Sequence, residues 1–136
     1  MDNKIPGKIK KIYYRNIRLS QIYGALSRKT KDSDTSLLFH RFSSDAYNHA
    51  RGIKFFIESN GGNVSIIRRL LHELDSFWIG RSLYYLGLGF VKKYTIRKEL
   101  QLRKMAFSLL HLVNDSTQFN EIINCTDEHI EKIQSL

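Results

Sequence analysis

Apolar residues recur at three- and four-residue spacing along almost the whole chain, and almost nothing interrupts them. The 136 residues contain a single proline, Pro6, and eight glycines. A chain of short strands needs turn residues every few positions; long helices need few breakers. No segment keeps a two-residue alternation, so the spacing predicts an all-α fold. With 42% hydrophobic and 12% aromatic residues, the chain has material for one well-filled core. Its length fits one domain spanning 1–136.

The spacing divides the chain into helices. The first runs from about Lys8 to Thr30 and carries Ile9, Ile12, Tyr13, Ile17, Tyr23 and Leu26 on one stripe. Lys31-Asp32-Ser33-Asp34 breaks it, and Ser33 or Asp34 can cap the second, about Thr35 to Ser59. Asn60-Gly61-Gly62 ends that helix. After an Asn63 cap, Val64 to about Tyr85 places Ile66, Ile67, Leu70, Leu71, Leu74 and Trp78 at helical spacing. A fourth helix follows from about Gly89 to Val113, and a last one from Phe119 to Ile133 after a Ser116 or Thr117 cap. The expected architecture is two helical hairpins joined by a 63–88 crossover. Phe39, Phe42, His49 and Ile53 recur 80 positions later as Phe119, Ile122, His129 and Ile133, which predicts pseudo-twofold symmetry.

Charge is uneven. Residues 1–113 hold 21 bases and eight acids, +13; residues 114–136 hold one base and five acids, −4; together they give the net +9. Such a chain can meet nucleic acid, an anionic membrane surface or a second copy of opposite local charge, or simply be solvated. Two basic strips stand out: Lys8, Lys10, Lys11, Arg15 and Arg18, and Lys92, Lys93, Arg97, Lys98, Arg103 and Lys104. Tyr13, Tyr14 and Tyr94 are interleaved with them and would suit stacking beside phosphate contacts. Arg97, Lys98, Arg103 and Lys104 are the densest group.

Three polar residues fall on inward stripes. His49 lies about 60° from Ala46 at 100° per residue, His129 stands likewise to Thr126, and Glu99 sits among Val91, Thr95, Leu102 and Ala106. A buried glutamate is costly unless it is paired or ligates. A hydrogen-bonded structural network satisfies it; so does one metal on His49, Glu99 and His129, a legitimate zinc count. Asp45 and Cys125, each one turn before its histidine, sit at the stripe edges and can add to that set. The one cysteine excludes an internal disulfide and any CxxC site. No nucleophile elbow, GxGxxG or P-loop is present, so no small-molecule substrate is indicated. The basic N-terminus, 1–11, lacks an apolar signal core, and no apolar run approaches a membrane span; a cytoplasmic location is expected.

Several short motifs point to one family: Ile22-Tyr23-Gly24-Ala25-Leu26-Ser27, Ser44-Asp45-Ala46-Tyr47-Asn48-His49-Ala50, Gly87-Leu88-Gly89-Phe90-Val91, Arg97-Lys98-Glu99 and Thr126-Asp127-Glu128-His129. The chain resembles the rubrerythrin-type, ferritin-like proteins, most of all the rubrerythrin-like domains found alone or with vacuolar-iron-transporter-like proteins. The resemblance implies a four-helix bundle that holds two irons with a Glu from each of two helices and a Glu-x-x-His from each of the others. Carried over position by position, the carboxylates fall at Leu19, Ala46, Ile96 and Thr126; only His49, Glu99 and His129 survive. One carboxylate cannot hold two irons, so neither an enzyme nor a bound cofactor is expected. The resemblance therefore implies a bundle that has lost its diiron centre and acts in protein interaction or assembly, as a homodimer or with another protein. Trp78, Tyr84 and Tyr85 in the crossover are its candidate contacts. The alternatives are a protein with one iron or zinc ion in the residual site, and a basic-surface binder of nucleic acid or anionic membrane.

Overall fold

The structure, a computed structural model, describes residues 4–136; the first three residues of the basic N-terminal stretch lie outside it. Five helices follow one another: α1 (Lys4–Lys29), α2 (Ser33–Ser59), α3 (Ile66–Leu86), α4 (Leu88–Leu109) and α5 (Thr117–Gln134). There is no strand among the described residues. None of these helices is long and apolar enough to cross a membrane.

Local chemistry sets the helix ends, one or two residues away from where the sequence pattern placed some of them. Asp32, not Ser33 or Asp34, caps α2: its carboxylate accepts from the Thr35 amide at 2.9 Å and from the Thr35 hydroxyl. Ser65, not Asn63, caps α3 by accepting from the Arg68 amide at 3.1 Å. The Ser65 amide in turn donates to the Tyr14 hydroxyl, which ties the start of α3 to α1. Beyond α2 the chain turns at Gly61, whose φ of 82° is open only to a residue without a β-carbon penalty.

Side-chain contacts give the directions. Ser20 meets Ser43 and Ser27 meets Ser36, so α1 and α2 form an antiparallel hairpin. Arg103 donates to Asp127 and Lys92 to the Gln134 carbonyl, which pairs α4 with α5 in the same sense. Arg41 bridges to Glu128, and Phe56 packs edge-on to Phe119, joining α2 to α5. Phe39, Phe42, Ile53, Phe119, Ile122, His129 and Ile133 are all buried, so seven of the eight repeat positions share one core, and His49 is half-buried.

The 63–88 crossover is helical, as its spacing predicts. It is a 21-residue helix, and it runs parallel to α1: Tyr14 stacks on His72, Arg18 bridges Asp75 at 2.8 Å, and Gly80 lies against Ala25 and Ile22. Its face toward α1 is not the apolar stripe read from the sequence. Ser76, Gly80 and Leu83 are the buried residues, while Ile66, Ile67, Leu70, Leu71, Leu74 and Trp78 point outward. Close approach explains the inversion. A β-carbon on Gly80 would stand 2.8 Å from the Ala25 β-carbon and 2.9 Å from the Ile22 carbonyl oxygen. Only small side chains allow the two backbones to come so near.

Candidate functional site

Polar side chains from α1, α2, α4 and α5 converge at one point in the core. Glu99 and His129 are 1% and 2% exposed, as their places on the inward stripes of α4 and α5 require. The Tyr23 hydroxyl donates to Oε1 of Glu99 at 2.9 Å. The same oxygen stands 3.1 Å from Nδ1 of His129. On the other side of the imidazole, Nε2 is 2.9 Å from Oδ2 of Asp45 and 3.2 Å from Sγ of Cys125. Cys125 and Asp45 also touch, at 3.6 Å. The ring of Phe42 lies 4.1 Å from that of His129 and covers it.

The electrostatics follow from this order. Burial pulls the His129 imidazole toward neutrality, but its contacts with Cys125 and Glu99 outweigh burial and lift its pKa to about 10. The upward shift favours the protonated ring, which can donate from Nδ1 to Glu99 and from Nε2 to Asp45. A cationic ring beside Glu99 offsets much of the cost of burying that carboxylate. Burial, then the charge of Glu99, pushes the Tyr23 hydroxyl well above its usual value, so it stays a donor. Burial likewise raises the Cys125 thiol, against the pull of His129. Oε2 of Glu99 is buried with no hydrogen-bond partner.

The structure thus brings together Glu99, His129, Asp45 and Cys125. The set whose atoms converge as metal ligands is Asp45, Cys125 and His129. Glu99 faces the far nitrogen of His129, so one ion at Nε2 cannot also be held by Glu99. His49 is half-buried one turn after Asp45 and outside that set, and burial lowers its pKa. The positions where the diiron carboxylates would fall are filled without charge. Leu19 and Ala46 are buried in the apolar core, Ile96 packs against it, and the Thr126 hydroxyl donates to the Ile123 carbonyl of its own helix. Tyr23 escaped the sequence reading because a tyrosine on an inward stripe looks like core. Its signal was its place in α1, facing a helix that buries an acid.

The surface candidates separate. Arg97 and Lys104 are exposed, but Arg103 is held by Asp127, and Lys98 is half-buried beside Tyr94, Arg15 and Arg18. The four do not form one patch. The acidic end is also engaged within the chain, since Glu128 pairs with Arg41 and Asp127 with Arg103. Tyr84 is half-buried, while Trp78 and Tyr85 are exposed on α3. Comparison with known protein families, with curated proteins and with solved structures finds no match to this chain.

Proposed function

We propose that this chain is a ferritin-like bundle of α1, α2, α4 and α5 without a diiron centre, acting as an assembly module whose remaining helix, α3, pairs with a second copy. The observation that carries this reading is the outward face of α3. Ile67, Leu71, Leu74, Trp78 and Tyr85 are between 57% and 74% exposed. With Arg81 they follow a four-three-four-three-four spacing, the seam of a helix that packs on another helix. Contiguous apolar faces of this kind mark interaction sites on soluble domains. A seam on one straight helix is self-complementary under a twofold axis, so a second copy supplies a matching partner without any other chain. Arg81 lies over the rings of Phe77 and Trp78 and places a single charge within the seam, which favours one register.

The test is size-exclusion chromatography with light scattering. The wild-type chain should elute with twice its 16.0 kDa mass, and Leu71→Glu with Trp78→Glu should give the monomer mass with unchanged helical circular dichroism. A wild-type monomer over the accessible concentration range would overturn the reading.

A second reading rests on α4. Phe90, Lys93, Arg97, Leu100, Lys104 and Phe107 are all exposed at three- and four-residue spacing, so three cations and three apolar groups share one face. Such a face suits an anionic membrane surface. Co-sedimentation with acidic vesicles, lost in Lys93→Glu with Arg97→Glu and absent with neutral vesicles, would support it.

A further inference from the structure

The buried cluster has the chemistry of a metal site that differs from the diiron pattern. We propose that Asp45 Oδ2, Cys125 Sγ and His129 Nε2 form a mononuclear site for a zinc-class divalent ion, with Glu99 as the positioning residue that orients the imidazole from its far nitrogen.

Four observations carry this. First, the three ligand atoms lie 2.9, 3.2 and 3.6 Å from one another. Ligands about 2.0–2.3 Å from a tetrahedral zinc stand about 3.3–3.6 Å apart, so the triangle needs only a few tenths of an ångström of opening. Second, the ligands come from rigid elements. Cys125 and His129 are one turn apart on α5, and Asp45 faces them from α2. Third, the imidazole already has the support that metal-bound histidines use. Nδ1 meets the carboxylate of Glu99, and Glu99 is itself held by Tyr23. Fourth, that carboxylate is 1% exposed and keeps an unpartnered oxygen, so the cluster is not closed by its own hydrogen bonds.

A thiolate with an imidazole selects a borderline ion such as zinc over calcium or magnesium. Three protein ligands leave a fourth position, and Asp45, 28% exposed at its side chain, marks the side on which water or another ligand enters.

The contacts also fit another chemistry. Sγ beside Nε2, with Glu99 at Nδ1, is the order of a thiol, its base and an orienting acid. Two features favour the metal. Asp45 shares the nitrogen that would serve the thiol, and the groove of about 300 Å³ between α1, α2 and α3 is lined by Tyr13, Tyr47, Arg51, Lys54 and Arg69 and not by Cys125.

The experiment is titration of the chelator-stripped 136-residue chain with cobalt(II), followed by zinc. One cobalt per chain should bind with a thiolate-to-metal charge-transfer band and tetrahedral visible bands, both removed by equimolar zinc. Cys125→Ser should lose the charge-transfer band, and Asp45→Asn should weaken binding at least tenfold. Glu99→Gln should keep the band but weaken binding roughly 10–100-fold, the size of effect seen when such an outer carboxylate is lost. Circular dichroism checks that each variant is folded. Cobalt bound without the thiolate band, a band that persists in Cys125→Ser, or no binding at micromolar metal would each overturn the proposal.

Discussion

Asp45 on α2 and Cys125 on α5 stand 80 positions apart, at equivalent places of the internal repeat, and they meet across the bundle with Oδ2 and Sγ 3.6 Å apart beside the same nitrogen of His129. Equivalence without identity is what the repeat has left at this point: a carboxylate on one helix and a thiol on the other. The His49 of one half and the His129 of the other have diverged in the same way. His129 sits among acids as an imidazolium, whereas burial lowers the pKa of His49.

Removing His129 should expose the cost of the charges it holds. His129→Leu leaves Glu99 buried with only the Tyr23 hydroxyl, and should destabilise the chain by about 3 kcal/mol. Adding Glu99→Leu should recover much of that loss, because replacing a whole buried polar network with apolar groups is often close to neutral. Urea denaturation of the single and double variants measures both. A double variant less stable than the single would mean that Glu99 has a further stabilising partner.

Stability should also respond to pH, in a direction set by two histidines. The His129 pKa rises from 6.5 to about 10 on folding. Its contribution is full below pH 6.5 and is lost as pH climbs toward 10, because the unfolded state releases the proton first. The His49 pKa falls on folding, for which burial is the main cause. Its contribution is full above pH 6.5 and is lost below, as the unfolded state takes up a proton that the folded one resists. Thermal melts of metal-free protein should therefore peak near neutrality. Glu99→Gln should flatten the alkaline side alone; an alkaline limb unchanged by that variant would mean that Glu99 does not raise the His129 pKa.

The close contact of α1 and α3 gives a test at two glycines. Gly80→Ala places a β-carbon 2.8 Å from the Ala25 β-carbon and should cost about 1–3 kcal/mol by overpacking. Gly89→Ala, in α4, meets nothing within 4 Å and should be neutral or stabilising by up to about 1 kcal/mol. Equal effects at the two positions in denaturant melts would mean that α3 does not press on α1 through Gly80.

The inward places of Glu99 and His129 were legible because each falls on an apolar stripe that only a helix can bury. Asp45 and Cys125 were legible as edge positions, but periodicity cannot say which edges meet, since that depends on how α2 and α5 rotate against each other. The same limit separated Arg97 and Lys104 from Arg103 and Lys98, four cations close in sequence that turn to different neighbours. On α3, helical spacing alone could not say which face is buried. Ile67, Leu71 and Leu74 keep that spacing, yet α1 is met by Ser76, Gly80 and Leu83, because backbone proximity rewards small side chains there and leaves the large ones outside.

Cross-linking at the middle of α3 tests most directly whether that outward face is where two copies meet. In a Cys125→Ser background, Leu74→Cys treated with a short bismaleimide should give a covalent dimer in high yield at micromolar protein. Leu37→Cys is the control. Leu37 is 66% exposed on α2, away from the seam, and its variant should give little cross-linked product. Adding Trp78→Glu should abolish the dimer at position 74. Equal yields at positions 74 and 37, or none at 74, would contradict pairing through α3.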